Sequence, residues 1–167
     1  HTKSVLNRKK RIIFASIHNE DERIIYESVF RLLNGHKGLS ILWVPHEPTF
    51  SIIDASVKRF IEAGFKILFK PRLDESLQSQ LKAYYLDEFE EKVEIVNDLT
   101  PETMAEIDVI AGTMTTLLFD LLPYEKPIWI LDSSFRLMHD MVEDGFAKLI
   151  TESDMQRIDE IFEEEIS

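Results

Sequence analysis

A glycine followed by hydroxyls stands at Gly112-Thr113-Met114-Thr115-Thr116, and a carboxylate, Asp120, follows on the next apolar segment. Glycine lets the backbone approach a ligand closely. The first turn of a helix leaves N–H groups unsatisfied, and with the helix dipole they favour an anion. A carboxylate one and a half turns further in can accept from ribose or sugar hydroxyls. The bland alternative is a tight βα turn whose threonines cap the helix, and these residues alone leave both readings open. Asp120 sits among leucines, so a buried carboxylate held by hydrogen bonds is expected there.

Three other groups could join that turn. Ser16 and His18 stand in Ser16-Ile17-His18-Asn19 after an apolar run, and His46 and Glu47 stand in Pro45-His46-Glu47-Pro48 after another. Prolines on both sides of His46-Glu47 stiffen that turn and hold the imidazole in place. Arg72 follows a third apolar run in Lys70-Pro71-Arg72. Backbone donors, hydroxyls, imidazoles and two cations suit a phosphate or nucleotide better than an apolar ligand. HExxH, GxSxG, GxxxxGK[ST] and GxGxxG are all missing, which removes the motif support for zinc protease, serine hydrolase, P-loop and dinucleotide-dehydrogenase readings.

These residues need a sheet to place them. Ile12 to Ala15, Leu39 to Val44, Phe65 to Phe69, Val93 to Val96, Val109 to Ala111 and Ile128 to Leu131 read as buried strands, with Phe146 to Ile150 as a short last one. Helices fall between them. One starts at the acidic Glu20-Asp21-Glu22, is apolar at Ile24, Ile25, Val29, Leu32 and Leu33, and ends at Asn34-Gly35. The second covers Phe50 to Ala63 with Gly64 as its C-cap. Leu77 to Phe89 reads as a peripheral helix, Thr100-Pro101-Glu102 starts a short one, and Phe135 to Val142 ends at Asp144-Gly145. Ser153 opens a last helix with a fraying Glu163 to Glu165 tail. Lys126 and the carboxylates at 87–91 and 160–165 read as solvated. Strands alternating with helices at this spacing predict an α/β, Rossmann-like, doubly wound parallel sheet, with residues 1–167 forming a single domain. Four strand-end loops, 16–19, 46–49, 70–72 and 112–116, should then meet on one rim.

Composition narrows the partners. The net charge of -12 argues against a nucleic-acid surface, although much of it lies at 87–94 and 152–165, away from the rim. With no cysteine there is no disulfide framework, thiol catalyst or Cys-based zinc site, which fits a reducing compartment. No apolar run approaches membrane-spanning length and no signal peptide is visible.

Taken in order, these segments resemble the C-terminal half of the GT-B glycosyltransferases, and among them the 3-deoxy-D-manno-octulosonic acid (Kdo) transferases. The likeness is carried by 14–22 (FASIHNEDE), 44–50 (VPHEPTF), Gly64-Phe65-Lys66, and the strand, glycine turn, acidic helix and Lys126-Pro127 turn of 108–127. It spans nearly the whole chain in short motifs. It departs where the family's glycine-pair and asparagine loop is replaced by Gly112-Thr113-Met114-Thr115-Thr116, and its helix glutamate by Asp120. Phe119-Asp120 with Lys126-Pro127-Ile128 also resembles the CDP-glycerol glycerophosphotransferases.

The resemblance implies a nucleotide-sugar donor as substrate, with no cofactor and no metal. Substrate contacts would come from Ser16, His18, His46, Glu47, Arg72, Gly112, Thr113, Thr115, Thr116 and Asp120. It further implies a missing N-terminal domain that carries the acceptor site and the catalytic base, so no base is assigned here. A lipid or glycan acceptor of the cell envelope, as in lipopolysaccharide biosynthesis, and a cytoplasmic site at the inner membrane face, with peripheral membrane association of the full protein, go with it. Two other readings stand beside it. One is a non-catalytic sheet domain that docks a partner; the other is a sugar-nucleotide epimerase, for which the rim holds few acidic and histidine residues.

Overall fold

The computed structural model describes residues 10–17, 22–45, 50–65, 67–70, 93–96, 98–113, 117–131 and 136–167, with isolated helical positions at 76, 79, 80 and 83. Among the described residues, seven parallel strands form one sheet: β1 (Lys10–Ile17), β2 (Leu39–Pro45), β3 (Ile67–Phe69), β4 (Val93–Ile95), β5 (Val109–Gly112), β6 (Ile128–Leu131) and β7 (Lys148–Ile150). Their order is β4-β3-β2-β1-β5-β6-β7. The chain therefore winds outward one way from β1 to β4, returns to the other side of β1, and winds outward again. Right-handed crossovers in opposite directions place helices on both faces, giving the expected doubly wound, Rossmann-like α/β sheet.

Burial on both faces explains why the strands read as unbroken apolar runs. Ile12 and Phe14 of β1 face one cluster, while Ile13 and Ala15 face the other, and all four are fully buried. The first cluster joins Trp43, Phe69, Ala111 and Trp129 of the sheet to α1 (Glu22–Gly35), α2 (Phe50–Glu62) and α7 (Ile158–Ile166). Its aromatic centre stacks Tyr26 on Trp43 at 5.2 Å, with Phe60 edge-on to Trp43 at 5.2 Å. The second cluster joins Ile110, Ile128 and Ile130 to α3 (Pro101–Ala105), α4 (Leu117–Leu121) and α5 (Arg136–Glu143).

Helix ends follow the punctuation in the sequence. Gly64 has φ +83° and Gly145 has φ +81°, left-handed positions that glycine takes without a Cβ penalty. At Gly64 the N–H donates to Ile61 O at 2.9 Å and Phe65 N–H donates to Phe60 O at 2.9 Å; the same pair of bonds closes α5 at Gly145 and Phe146. Because Phe65 belongs to this cap, β3 begins at Ile67 rather than at Phe65. Gly35 ends α1 for a different reason. A Cβ there would lie 3.1 Å from Asp159 Cβ, so the missing side chain lets α1 approach α7.

The C-terminal segment departs from expectation in two ways. Thr151, not Ser153, caps α6 (Glu152–Met155), and Gln156-Arg157 separates it from α7. The acidic tail also stays helical to Ile166, because Ile158, Ile161 and Phe162 are buried and the buried Trp129 Nε1–H donates to Glu165 Oε1 at 3.0 Å. Glu165 is thus not a purely solvated carboxylate. The peripheral helix expected at 77–89 lies outside the described residues, apart from positions 79, 80 and 83.

Candidate functional site

In an open parallel sheet, ligands bind beyond the carboxyl ends of the strands where the winding direction reverses. Here that place is between β1 and β5, which pair from Ile12↔Val109 to Ala15↔Gly112. On the other side of β1, Ile17 pairs with Pro45, the last residue of β2. Lys70, half-buried, continues from β3 and its N–H donates to Trp43 O at 3.0 Å. The ends of β1, β2, β3 and β5 thus share one edge. Two strand spacings of about 4.8 Å separate the end of β2 from the glycine turn, roughly 10 Å in all.

The sequence-derived residues distribute on this edge as follows. Gly112 ends β5 and Thr113, buried, opens the bend after it. Ser16 is on β1. His46 and Glu47, which follow directly from Pro45, and His18, Arg72, Thr115 and Thr116 lie outside the described residues. The strand ends that lead into all four loops are therefore brought together, while the loops' own side-chain geometry is not described.

Asp120 corrects an expectation. It is exposed rather than buried, because Leu118 and Leu121 take the inward positions of the short helix α4 and leave Phe119 and Asp120 outward. No desolvation argument therefore singles it out. Its carboxylate stands in the first turn after the glycine bend, open to solvent.

Sequence reasoning missed two features. β1 carries a bulge between Phe14 and Ile17, where three residue steps on β1 match two on β2, from Trp43 to Pro45. Bulges bend a strand and are enriched beside functional sites. Nothing in 14–17 signals it. The second feature is the environment of Gly112. A Cβ there would lie 3.2 Å from Ala15 O and 3.3 Å from Leu118 Cδ2.

At the outer end of the same edge a threonine is used differently. Thr151 Oγ1 accepts from Asp154 N–H at 3.1 Å while Asp154 Oδ2 accepts from Thr151 N–H at 3.1 Å. The backbone N–H and hydroxyl of Thr151 hold the Asp154 carboxyl below its ordinary value, helped by Arg157 and Lys148. Among the described residues no group of three His, Cys, Asp or Glu side chains could hold a metal, and no helix is long and apolar enough to cross a membrane.

Fold and edge together define an open, doubly wound Rossmann-like domain whose winding reverses between β1 and β5. No protein-family model matches the chain, and no curated protein does. Among solved structures, the C-terminal CMP-Kdo binding domain of WaaA from Acinetobacter baumannii matches 99% of this chain and 84% of its own, at 15% identity and TM-score 0.62. A UDP-N-acetylglucosamine 2-epimerase matches all of this chain over 37% of its own length, at 12% identity and TM-score 0.50. At these identities the likeness establishes a common fold.

Proposed function

We propose that this chain is the donor-binding half of a glycosyltransferase and holds a nucleotide-sugar of the CMP-Kdo type in the crevice between β1 and β5. One observation carries the reading. Gly112 ends β5 where the sheet reverses, in a fold shared over 99% of this chain with a domain described as CMP-Kdo binding. Backbone amides of the turn at 113–116 would face the phosphate, helped by His46 or Arg72, and would stabilise charge as the nucleotide leaves. Asp120, solvent-open in the first turn of α4, would accept from ribose hydroxyls. Ser16, His18 and Glu47 would supply the remaining donor contacts. The reading includes an acceptor domain on the N-terminal side, a lipid or glycan acceptor of the cell envelope, and work at the cytoplasmic face of a membrane without a metal.

Calorimetry with CMP, CDP and UDP tests this. CMP is expected to bind, and Asp120→Ala to weaken it without unfolding the domain. Absence of heat for all three at millimolar ligand overturns the reading and favours a partner-docking domain. A preference for CDP moves the assignment to a glycerophosphotransferase-type donor, and a preference for UDP towards the epimerase-like neighbour.

A further inference from the structure

Glycine serves two separate purposes in this chain. Gly64 and Gly145 have left-handed φ, and a Cβ at either would meet open space. Gly112 is the reverse: its φ is not left-handed, yet a Cβ would press on Ala15 O at 3.2 Å on one side and on Leu118 Cδ2 and Cδ1 at 3.3 and 3.5 Å on the other. Ala15 O is a backbone atom, within the Phe14–Ile17 segment where β1 shifts register against β2. Leu118 is fully buried in the second core cluster with Ile13, Ala15 and Ile110. One wall of the Gly112 slot therefore belongs to β1 itself, and the other to α4.

We propose that Gly112 and Leu118 are a positioning pair that sets how closely the carboxyl ends of β1 and β5 approach. Gly112 admits the Ala15 carbonyl, and Leu118, filling the space that a side chain at 112 would need, fixes how closely the end of β5 and α4 pack on β1. The inference rests on the nucleotide reading for its consequence, and on the packing alone for its geometry. Tertiary contacts of this kind tolerate little change, since a close-packed interior cannot absorb a methyl without moving something.

Two measurements on the intact chain separate the two claims. In the ligand-free protein, Gly112→Ala is expected to shift the amide resonances of Ala15 to Ile17 as well as those of its own turn, and adding Leu118→Val to return them towards wild type. Titrated with CMP, Gly112→Ala is expected to bind about tenfold more weakly, with the double variant recovering part of the loss, as displacement of a binding element by a fraction of an ångström implies. Gly64→Ala is the control: strained at φ +83°, it lowers the thermal midpoint and leaves CMP affinity unchanged. Should Gly112→Ala fail to fold, recovery of folding in the double variant supports the pair. In that case Leu118→Val alone must still move the amides of Gly112 and Ala15. Unmoved resonances at 15–17 overturn the proposal whether or not CMP binds. A wild-type chain that ignores CMP while those resonances move overturns only the nucleotide reading.

Discussion

The two edges of the sheet are built by different means. At the amino-terminal edge, polar groups answer one another. Asp108 Oδ2 accepts from Arg11 N–H at 2.9 Å, Asp108 N–H donates to Arg11 O at 2.8 Å, and the Arg11 guanidinium reaches Ser40 Oγ at 2.9 Å and Glu106 Oε2 at 2.6 Å. At the carboxyl-terminal edge, between β1 and β5, packing sets the fit: Gly112, without a side chain, leaves room for the Ala15 carbonyl and the buried Leu118. An edge whose polar groups are satisfied internally contributes stability and offers a ligand little.

That contrast can be broken. Its largest expected effect on stability is at Asp108→Ala, which leaves the partly buried Arg11 N–H without its acceptor and should cost about 1–3 kcal/mol. Denaturant unfolding reads the loss, and CMP affinity should stay as in wild type; a parallel loss of affinity would show that the edges are not independent. Thr151→Ala, at the outer end of the carboxyl-terminal edge, should cost about 1 kcal/mol through the lost cap. A still smaller effect is expected from Glu106→Ala, whose carboxylate is 64% exposed, at roughly 0.2–1 kcal/mol and diminishing with salt. Least of all, Asp120→Ala should change stability by less than about 0.5 kcal/mol, since the side chain is exposed, while weakening the nucleotide.

The α6 cap adds a pH dependence with a definite sign. Asp154 is lowered in the folded chain from its ordinary 3.8, so the unfolded chain binds the proton more readily. Its contribution is present above pH 3.8 and is lost as pH falls below that through the folded value. Stability measured in acid should therefore decline less steeply in Asp154→Asn than in wild type. An identical slope would remove the cap from the account.

Much of this architecture was legible before any coordinates. Ile12 to Ala15 and Ile128 to Leu131 read as strands because every position is buried, so no alternation interrupts them. Gly64 and Gly145 read as helix stops because their conformations are set by neighbours within a turn of helix. Gly112 was legible as the end of a strand, and the alternation of strands with helices put that end on the same edge as Pro45, the end of β2.

The remainder needed the tertiary structure. Asp120 among leucines looked buried, yet a helix of five residues shows only two of them to the core. Glu165 looked like part of a frayed tail until Trp129, 36 residues earlier, supplied its hydrogen bond. Gly35 and Gly112 are both explained by atoms distant in sequence, Asp159 in one case and Ala15 with its β1 bulge in the other. The amino-acid sequence by itself determined the elements, their alternation and the residues that cap them, because those depend on contacts a few residues long. Only the folded chain decided which glycine is a stop and which is a slot, since that depends on what a missing methyl would strike from across the sheet.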